Sequence, residues 1–412
     1  LLLAAPAWAQ TPPALPAPGN WGVVSTNTLQ DVFWRNAAGQ TVSQIKNANA
    51  NPENYFAAWN GGAYDPVLRK MFYPALGGDA DGADNGIYTF DLATGLHAMV
   101  TPPTVDLIPY NLGSATVGTY PYVDTAGTYG PVGKGYPQAR HTWGGICAIP
   151  GQGAWLGGGG PWLYVSQVDT GLTWHATPTG WEGPFDHVQE NAWERGPCAW
   201  DPKRSRITYH DHSSLRTYTP TAPVGSRIGR IDDGLQAGDS YIRFFSSCHD
   251  TKRDRFVLAG IERGSFAAVL DVYDLAKLPA KRVRLKTGGW PNAVAPGLIC
   301  DPVSGRYVIW PNGGKTLYEI DPDTLTVTPI VGGGVDPGTP PYAEGSGTWG
   351  RFAYDPTADL YLLAPRVTGP VLAFRPVRDG VVVPPPPPPP PASYPLTIMR
   401  AGTGTGTDAK SE

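Results

Sequence analysis

The chain is poor in charge and in residues that favour long helices. Asp, Glu, Lys and Arg make up 16% of its 412 residues, the formal net charge is −4, and no block of basic residues occurs. Nucleic acid and anionic membranes are therefore not expected as partners. The 52 glycines and 45 prolines exclude a predominantly helical protein, and no stretch after the first residues is long and apolar enough to span a bilayer.

Cysteine is scarce and widely spaced. Cys147, Cys198, Cys248 and Cys300 lie 51, 50 and 52 residues apart, so no CxxC pair and no Cys/His ligand spacing exists. A zinc site is therefore not expected. In an exported protein, four cysteines allow three disulfide connectivities. Two alternatives stay open, which are buried thiols and one bridge between neighbouring repeats.

An Asp-Pro motif and its relatives, in which one of the two residues is replaced, recur at intervals near 50 residues. From residue 150 onward the spacings between copies are 51, 49, 51 and 54. Each copy leads through a turn into a short apolar strand. A period of this length, with short strands and Gly-rich turns, is typical of a propeller blade. The copies are Tyr64-Asp65-Pro66, Ile149-Pro150-Gly151, Trp200-Asp201-Pro202, His249-Asp250-Thr251, Cys300-Asp301-Pro302 and Tyr354-Asp355-Pro356.

The repeats predict an all-β fold, a six-bladed β-propeller over residues 19–378. A long insertion at 102–139 leaves a seven-bladed ring as the alternative. The last repeat shows strands only at 352–354, 361–364 and 371–375, so its fourth strand is missing. We expect a strand at 21–25 to supply it and to close the ring without a covalent link, because an open sheet edge would otherwise remain.

The two ends of the chain differ in composition from the repeats. Residues 1–9 resemble the remnant of a secretory signal peptide with an A-x-A cleavage site, and 10–18 form a Pro/Ala leader. Residues 379–393 contain an unbroken polyproline tract, which predicts a stiff linker. Residues 394–412 look like the truncated start of a C-terminal β-repeat module, too short to bury a core and expected to be disordered. The sequence therefore predicts a secreted monomer, extracellular or periplasmic.

Several segments carry a family resemblance. The runs PQARHTWGG at 137–145 and GTWGRF at 347–352, with the glycine runs at 77–78 and 157–160, resemble the kelch, or galactose oxidase-like, β-propellers of secreted bacterial proteins. The resemblance covers approximately residues 20–377. It implies Gly-Gly pairs that end second strands, with a Tyr and a Trp later in the blade. It leaves activity open, because this superfamily contains both enzymes and binding modules.

Residues just ahead of the predicted inner strands should converge at one mouth of the propeller axis. Aromatic rings beside arginines suit a sugar or a carboxylate, because rings stack on apolar faces and guanidinium groups fork onto anions. The alternative is that Arg140, His141 and Arg351 tie blades together through hydrogen bonds. The candidate binding residues are Arg140, His141, Trp143, Arg195, Arg243, Trp349 and Arg351, with Trp59 and Asn60 beside them.

Two weaker patterns concern metals. The copper-radical oxidases of the resembled superfamily use two histidine ligands, and His210 and His212 lie at alternate positions that put both imidazoles on one strand face. The alternative is an ordinary polar strand face. Asp79, Asp81 and Asp84 have a calcium-like spacing, with a self-bonded turn as the alternative. No cofactor is expected, and copper and calcium remain the alternatives.

These observations lead to two hypotheses of different kinds. The first is a secreted β-propeller binding module for a glycan or an extracellular protein surface. The alternative is an extracellular carbohydrate-active enzyme, either copper-radical oxidase-like or a hydrolase or lyase, with its site at the axial mouth. Bound copper would distinguish the oxidase, and a converging acid/base pair would distinguish the hydrolase or lyase.

Overall fold

The structure is a computed structural model. It describes residues 13–46, 50–57, 59–76, 84–103, 142–156, 173–183, 196–210, 214–223, 225–232, 244–262, 265–291, 293–340 and 347–378. The helical segments with described bounds are short, namely α1 (Val42–Lys46), α2 (Asn54–Ala57) and the 3-10 turns Leu29–Val32 and Trp349–Arg351. The strands are β1 (Asn20–Val23), β2 (Ala63–Asp65), β3 (Lys70–Pro74), β4 (Ile87–Asp91), β5 (Leu96–Thr101), β6 (Ile146–Ile149), β7 (Gly153–Leu156), β8 (Trp174–Thr177), β9 (Gly180–Glu182), β10 (Cys198–Asp201), β11 (Arg206–His210), β12 (Leu215–Tyr218), β13 (Ile228–Arg230), β14 (Phe245–Asp250), β15 (Arg255–Ile261), β16 (Ala268–Asp274), β17 (Arg282–Thr287), β18 (Gly297–Cys300), β19 (Tyr307–Trp310), β20 (Thr316–Ile320), β21 (Val327–Val331), β22 (Gly333–Gly334), β23 (Phe352–Asp355), β24 (Leu360–Leu363) and β25 (Leu372–Phe374).

The strands form six sheets, which are the blades of a ring. Blades 1 to 5 are β2 to β5, β6 to β9, β10 to β13, β14 to β17 and β18 to β21, and blade 6 has the order β23-β24-β25-β1-β22. The first strand of each blade contacts the first strand of the next, and β23 contacts β2, so the ring is complete. The fold is the six-bladed β-propeller that the repeats predict. The seven-bladed alternative is not realised, because β2 and β6 contact each other directly.

The hydrophobic core lies between neighbouring blades. In β15 every residue after Arg255 is buried, because a propeller blade is covered on both faces by its neighbours. In β17, the outermost strand of the same blade, no residue is fully buried. Apolar side chains of blades 4 and 5 belong to one cluster, which includes Val257 and Ile309. β15 is an inner strand of the blade, and its sequence is a continuous apolar run. β17 is the outermost strand, and charged residues alternate along it.

The repeated Asp lies where the first strand of a blade enters the turn to the second. Asp65 ends β2 and accepts hydrogen bonds from Val67 N at 2.9 Å and Leu68 N at 3.0 Å, which form an Asx turn. Its carboxylate also accepts Gly151 N and Gly153 N of blade 2, both at 2.9 Å. The motif that sets the repeat therefore ties one blade to the next. Equivalent carboxylates accept a tyrosine hydroxyl from the following blade, namely Asp250 from Tyr307, Asp301 from Tyr361 and Asp355 from Tyr64.

The N-terminal strand completes blade 6. β1 pairs antiparallel with β25, with Trp21 opposite Phe374, and its other edge is covered by parallel pairing with β22. Trp21 is 2% exposed, packs on Phe374 with ring centroids 5.3 Å apart, and donates its indole N–H to Lys315 O at 3.0 Å. The ring is thus closed by pairing of the first strand of the propeller with β25, as the missing fourth strand of the last repeat predicts.

The cysteines divide into one bridge and two thiols. Cys248 on β14 and Cys300 on β18 form a disulfide between blades 4 and 5, with Cα atoms 5.6 Å apart. Cys147 and Cys198 are free and buried. Both alternatives that the sequence leaves open therefore occur in the same protein.

Several sequence predictions fall outside the described residues. These are the signal peptide at 1–9, the first part of the 10–18 leader, the polyproline linker at 379–393, the C-terminal module at 394–412 and most of the insertion at 102–139. Among the residues that the structure does describe, no helix is long and apolar enough to cross a membrane.

Candidate functional site

The residues that lead into the inner strands share an uncommon backbone conformation. Trp59, Trp143, Ala295 and Trp349 lie at equivalent places ahead of the first strands of blades 1, 2, 5 and 6 and have φ angles of 56°, 40°, 39° and 42°. This left-handed region is sparsely populated by residues that carry a side chain. Its recurrence at equivalent positions around the axis indicates that the fold imposes it there.

Hydrogen bonds between blades hold this conformation. Trp143 N donates to Trp59 O at 2.7 Å, and Ala295 N donates to Phe244 O at 2.7 Å. Trp349 N donates to Ala295 O at 3.3 Å. Each bond joins a blade to the one before it, so the backbone that carries these side chains is fixed by its neighbours on the ring.

The side chains at these positions meet in an axial aromatic cluster, which consists of Trp59, Trp143, Phe244 and Trp349 packed with Ile261, Val294 and Ala295. Trp143 and Trp349 are 6% and 2% exposed, whereas Trp59 and Phe244 are half-buried. Trp59 and Trp143 meet edge to face, with centroids 6.3 Å apart and ring planes at 85°. The cluster therefore presents two partly exposed aromatic rings on a buried aromatic base.

Buried amides and hydroxyls frame the cluster. Asn60 donates from Nδ2 to Tyr55 O at 2.6 Å, and its Oδ1 accepts Thr142 N at 3.1 Å. Thr142 Oγ1 in turn accepts Gly61 N at 3.0 Å. Because these polar atoms are engaged within the protein, Asn60 positions the neighbouring backbone and is not itself presented to a ligand. A similar Asn–Thr pair, Asn312 with Thr348 at 2.5 Å, stands beside Trp349.

Arg351 lies inside the fold. Its side chain is 1% exposed, with the guanidinium 4.0 Å over the ring of Phe56. Nη1 donates to Ala364 O at 2.9 Å and Nη2 donates to Gly347 O at 2.6 Å. Burial lowers the pKa of Arg351 to about 10. The guanidinium thus ties together loops of blade 6 and the α2 segment ahead of blade 1.

The structure brings together three of the seven predicted binding residues. Trp143 and Trp349 belong to the axial aromatic cluster, and Arg351 follows Trp349 in the same 3-10 turn. Both Trp349 and Arg351 are almost fully buried, and Arg351 turns inward to backbone carbonyls. The other four, Arg140, His141, Arg195 and Arg243, lie outside the described residues.

Sequence reasoning missed Phe244, Ile261 and Val294 as members of the cluster. Phe244 directly precedes β14, at the place in blade 4 that Trp349 occupies in blade 6. Alignment of the repeats on their Asp would have found it. Ile261 ends a second strand and Val294 lies in a connection between blades, and no local signal marks either residue.

The metal candidates that are described use their polar atoms internally. His210 is fully buried, and its Nε2 lies 2.7 Å from Tyr273 Oη on blade 4. Asp84 is fully buried and accepts Gly86 N at 2.8 Å and Tyr88 Oη at 2.6 Å, and burial raises the pKa of Asp84 to about 6. The remaining candidates, His212, Asp79 and Asp81, lie outside the described residues, so copper and calcium binding stay untested.

One further group has the composition of a metal site. Within the described residues, Asp201, His249 and Asp254 bring ligand atoms within 4.8 Å of one another. The guanidinium of Arg204 donates to Asp201 Oδ2 at 3.0 Å and to Asp254 Oδ2 at 2.7 Å. A cation bound by these carboxylates would have to displace Arg204, so we interpret the group as an ion-paired brace between blades 3 and 4.

Comparison with known proteins gives structural likenesses alone. No family model and no curated protein matches the chain. A structural genomics protein of unknown function from Bacteroides thetaiotaomicron is similar, with 10% identity, 86% of this chain and 75% of that chain covered, and a TM-score of 0.46. An auxiliary nutrient binding protein from Bacteroides ovatus gives 12% identity, 86% and 76% coverage, and a TM-score of 0.42. TolB from Acinetobacter baumannii gives 12% identity, 66% and 53% coverage, and a TM-score of 0.37. At these values no function is transferred.

Proposed function

We propose that the protein is a secreted, kelch-like β-propeller that binds a glycan at the axial aromatic cluster. The observation that carries the proposal is the pair of half-buried rings, Trp59 and Phe244, held at the axial end of the inner strands on the buried base of Trp143 and Trp349. The flat C–H faces of a pyranose ring stack on such aromatic surfaces, while the hydroxyl groups at its edge stay in water.

Preorganisation supports binding at this place. The backbone of Trp59 is held left-handed and its carbonyl accepts a hydrogen bond from blade 2. Trp143 supports the indole ring of Trp59 from one edge. A ligand that stacks here does not have to order the rings first, so less of the interaction energy is lost to conformational entropy.

The kelch assignment is part of the proposal and is supported by blade 5. Gly313 and Gly314 follow β19, Gly314 has a φ of 67°, and Trp310 donates its indole N–H to Gly314 O at 3.0 Å. Tyr318 follows on β20. The Gly pair after the second strand and the Tyr on the third strand match part of the pattern that the resemblance implies, whereas no Trp follows Tyr318 in this blade.

We also propose that the protein works outside the cytosol, in an oxidising compartment. The disulfide between Cys248 and Cys300 is typical of proteins outside the cytosol, where thiols are not kept reduced. The apolar, signal-like start of the sequence, at 1–9, points the same way. A secreted or periplasmic propeller would meet glycans in that compartment.

A glycan panel with one matched pair of variants tests the proposal. The purified protein is screened against immobilised oligosaccharides, and the affinity for any hit is measured by calorimetry. Trp59→Ala should weaken binding about tenfold or more, which corresponds to roughly 1.4 kcal/mol, because a stacking face is lost. Trp181→Ala serves as the control, since Trp181 is also half-buried but lies on β9, the outer strand of blade 2.

The outcomes separate the hypotheses. Equal weakening by both variants, or an unchanged affinity in Trp59→Ala, would refute binding at the axial aromatic cluster. A panel without hits would refute the glycan as ligand and leave the protein-surface hypothesis. Release of shorter sugars or oxidised products from a hit would favour the carbohydrate-active enzyme.

A further inference from the structure

The two free cysteines lie on the two sides of one blade interface. Cys147 lies on β6 and Cys198 on β10, and these first strands of blades 2 and 3 are neighbours in the inner ring. Both side chains belong to the same buried cluster, beside Ile149 and Tyr209. The Cys198 side chain points across this interface, because its thiol reaches the carbonyl of Gly144, which lies just ahead of β6.

Another pair of cysteines on neighbouring first strands is already a disulfide. Cys248 and Cys300 lie on β14 and β18, which are the first strands of neighbouring blades 4 and 5. Their separation in sequence is 52 residues, against 51 for Cys147 and Cys198. Both pairs thus join the first strands of neighbouring blades, although Cys198 begins β10 whereas Cys300 ends β18.

The order of blades selects one connectivity. Of the three pairings that four cysteines allow, two would join Cys147 to Cys248 or to Cys300. β6 has neither β14 nor β18 as a ring neighbour, because β10 lies on one side of it and β2 on the other. Only the pairing of Cys147 with Cys198 and of Cys248 with Cys300 joins neighbours in both bridges.

We propose that Cys147 and Cys198 are an oxidation site and form a second inter-blade disulfide, which staples blade 2 to blade 3. The oxidant is a low-molecular-weight disulfide such as oxidised glutathione. One thiolate attacks a sulfur of the small disulfide and releases one small thiol. The second cysteine then attacks the mixed disulfide and releases the other small thiol. The two cysteines lose two protons and two electrons, and the small disulfide takes both up as two thiols.

The environment determines when this reaction occurs. Burial raises the pKa of the Cys147 thiol, which disfavours the thiolate that exchange requires. The Cys198 thiol also donates to Gly144 O at 3.0 Å, a contact that the bridge replaces. Oxidation should therefore be efficient while the chain folds and slow once the propeller has closed.

Disulfide mapping tests the proposal. The protein is unfolded, reduced, and refolded with either a reduced or an oxidised glutathione buffer. It is then denatured with an excess of N-ethylmaleimide and digested without reductant for mass spectrometry. Refolding under oxidised buffer should give a linked peptide pair containing Cys147 and Cys198, with neither residue alkylated in most molecules. Alkylation of both residues in molecules that carry the Cys248–Cys300 bridge would overturn the proposal.

A second measurement does not depend on the first bridge. In a Cys248→Ser, Cys300→Ser background, oxidised and reduced protein are compared by thermal unfolding. Oxidation should raise Tm by roughly 5 °C, because the new bridge closes a long loop in the unfolded chain. Adding Cys198→Ser should abolish that rise. A Tm that does not respond to oxidation in this background, although the linked peptide is present, would refute the stapling role. Failure to bind glycans would leave both results unaffected.

Discussion

Replacing Arg351 by alanine distinguishes a brace from a ligand contact. The guanidinium makes hydrogen bonds to Gly347 O and Ala364 O and lies 4.0 Å over the Phe56 ring. Hydrogen bonds from a charged donor contribute about 1.5–3 kcal/mol each, and a desolvated cation–π contact about 2 kcal/mol. Against these stands the burial of the charge, which lowers the Arg351 pKa to about 10 and costs about 3 kcal/mol.

The net expectation is a loss of about 3–5 kcal/mol in the free energy of unfolding, since the truncation also removes the packed alkyl stem. For a domain of this size that corresponds to a fall in Tm of roughly 5 °C. Arg351→Lys should recover part of the loss, because an ammonium group keeps the charge but cannot fork to two carbonyls.

Thermal unfolding by circular dichroism and urea titration measure the effect. Arg366→Ala is the matched control, because Arg366 lies in the same blade and its side chain is exposed. We expect the control to unfold within about 1 °C of the wild type, as is usual for surface substitutions. If Arg351→Ala keeps the wild-type Tm and instead loses ligand affinity, the reasoning is refuted and Arg351 contacts the ligand.

Two further predictions concern blade 1 and the closure. Burial lowers the pKa of His97 to about 4, so the unfolded chain takes up this proton before the folded protein does. As the pH falls from above 6.5 to below 4, the free energy of unfolding therefore decreases by about 3 kcal/mol. Asp84 has its pKa raised to about 6, so the folded protein is protonated first and gains about 3 kcal/mol over nearly the same range. The two contributions oppose each other, so each substitution exposes the remaining one. In urea titrations Asp84→Asn should be markedly less stable at pH 4 than at pH 7, whereas His97→Gln should be more stable at pH 4. Profiles of stability against pH that run parallel to the wild type would contradict both assignments. Trp21→Ala should lose about 3–5 kcal/mol in the same assay, as expected for a truncated buried tryptophan, and a loss below about 1 kcal/mol would mean that β1 is dispensable for closure.

The repeat and the closure are predictable because local chemistry encodes them. Asp65 and its equivalents must follow a first strand, since the Asx turn that they form requires a short acceptor at that place. The period gives the number of blades, and the strand missing from the last repeat gives the partner for β1. Each signal on which these inferences depend is a short stretch of sequence, and the inferences need only the order and spacing of those stretches.

Exposure at the site is not predictable in the same way. Trp59 and Trp349 lie at equivalent places with similar φ angles, yet one is half-buried and the other is 2% exposed. The side chains that cover each ring come from other blades, so the sequence around the tryptophan does not indicate how exposed the ring is. The alternation of side chains along a strand likewise predicts which face His210 lies on. It does not predict that Tyr273 of the next blade contacts His210 on that face.

Pairing of β1 with β25 also places the two ends of the propeller side by side. Gly19 N donates to Arg375 O at 2.7 Å, and Arg375 N donates to Asn20 O at 3.2 Å. Because β1 and β25 run antiparallel, a short loop between them would turn the chain into a circle without changing any blade. The position of the termini is therefore incidental to the architecture. Circular permutation could open the chain in a connection between two other blades and make the present seam inside blade 6 covalent.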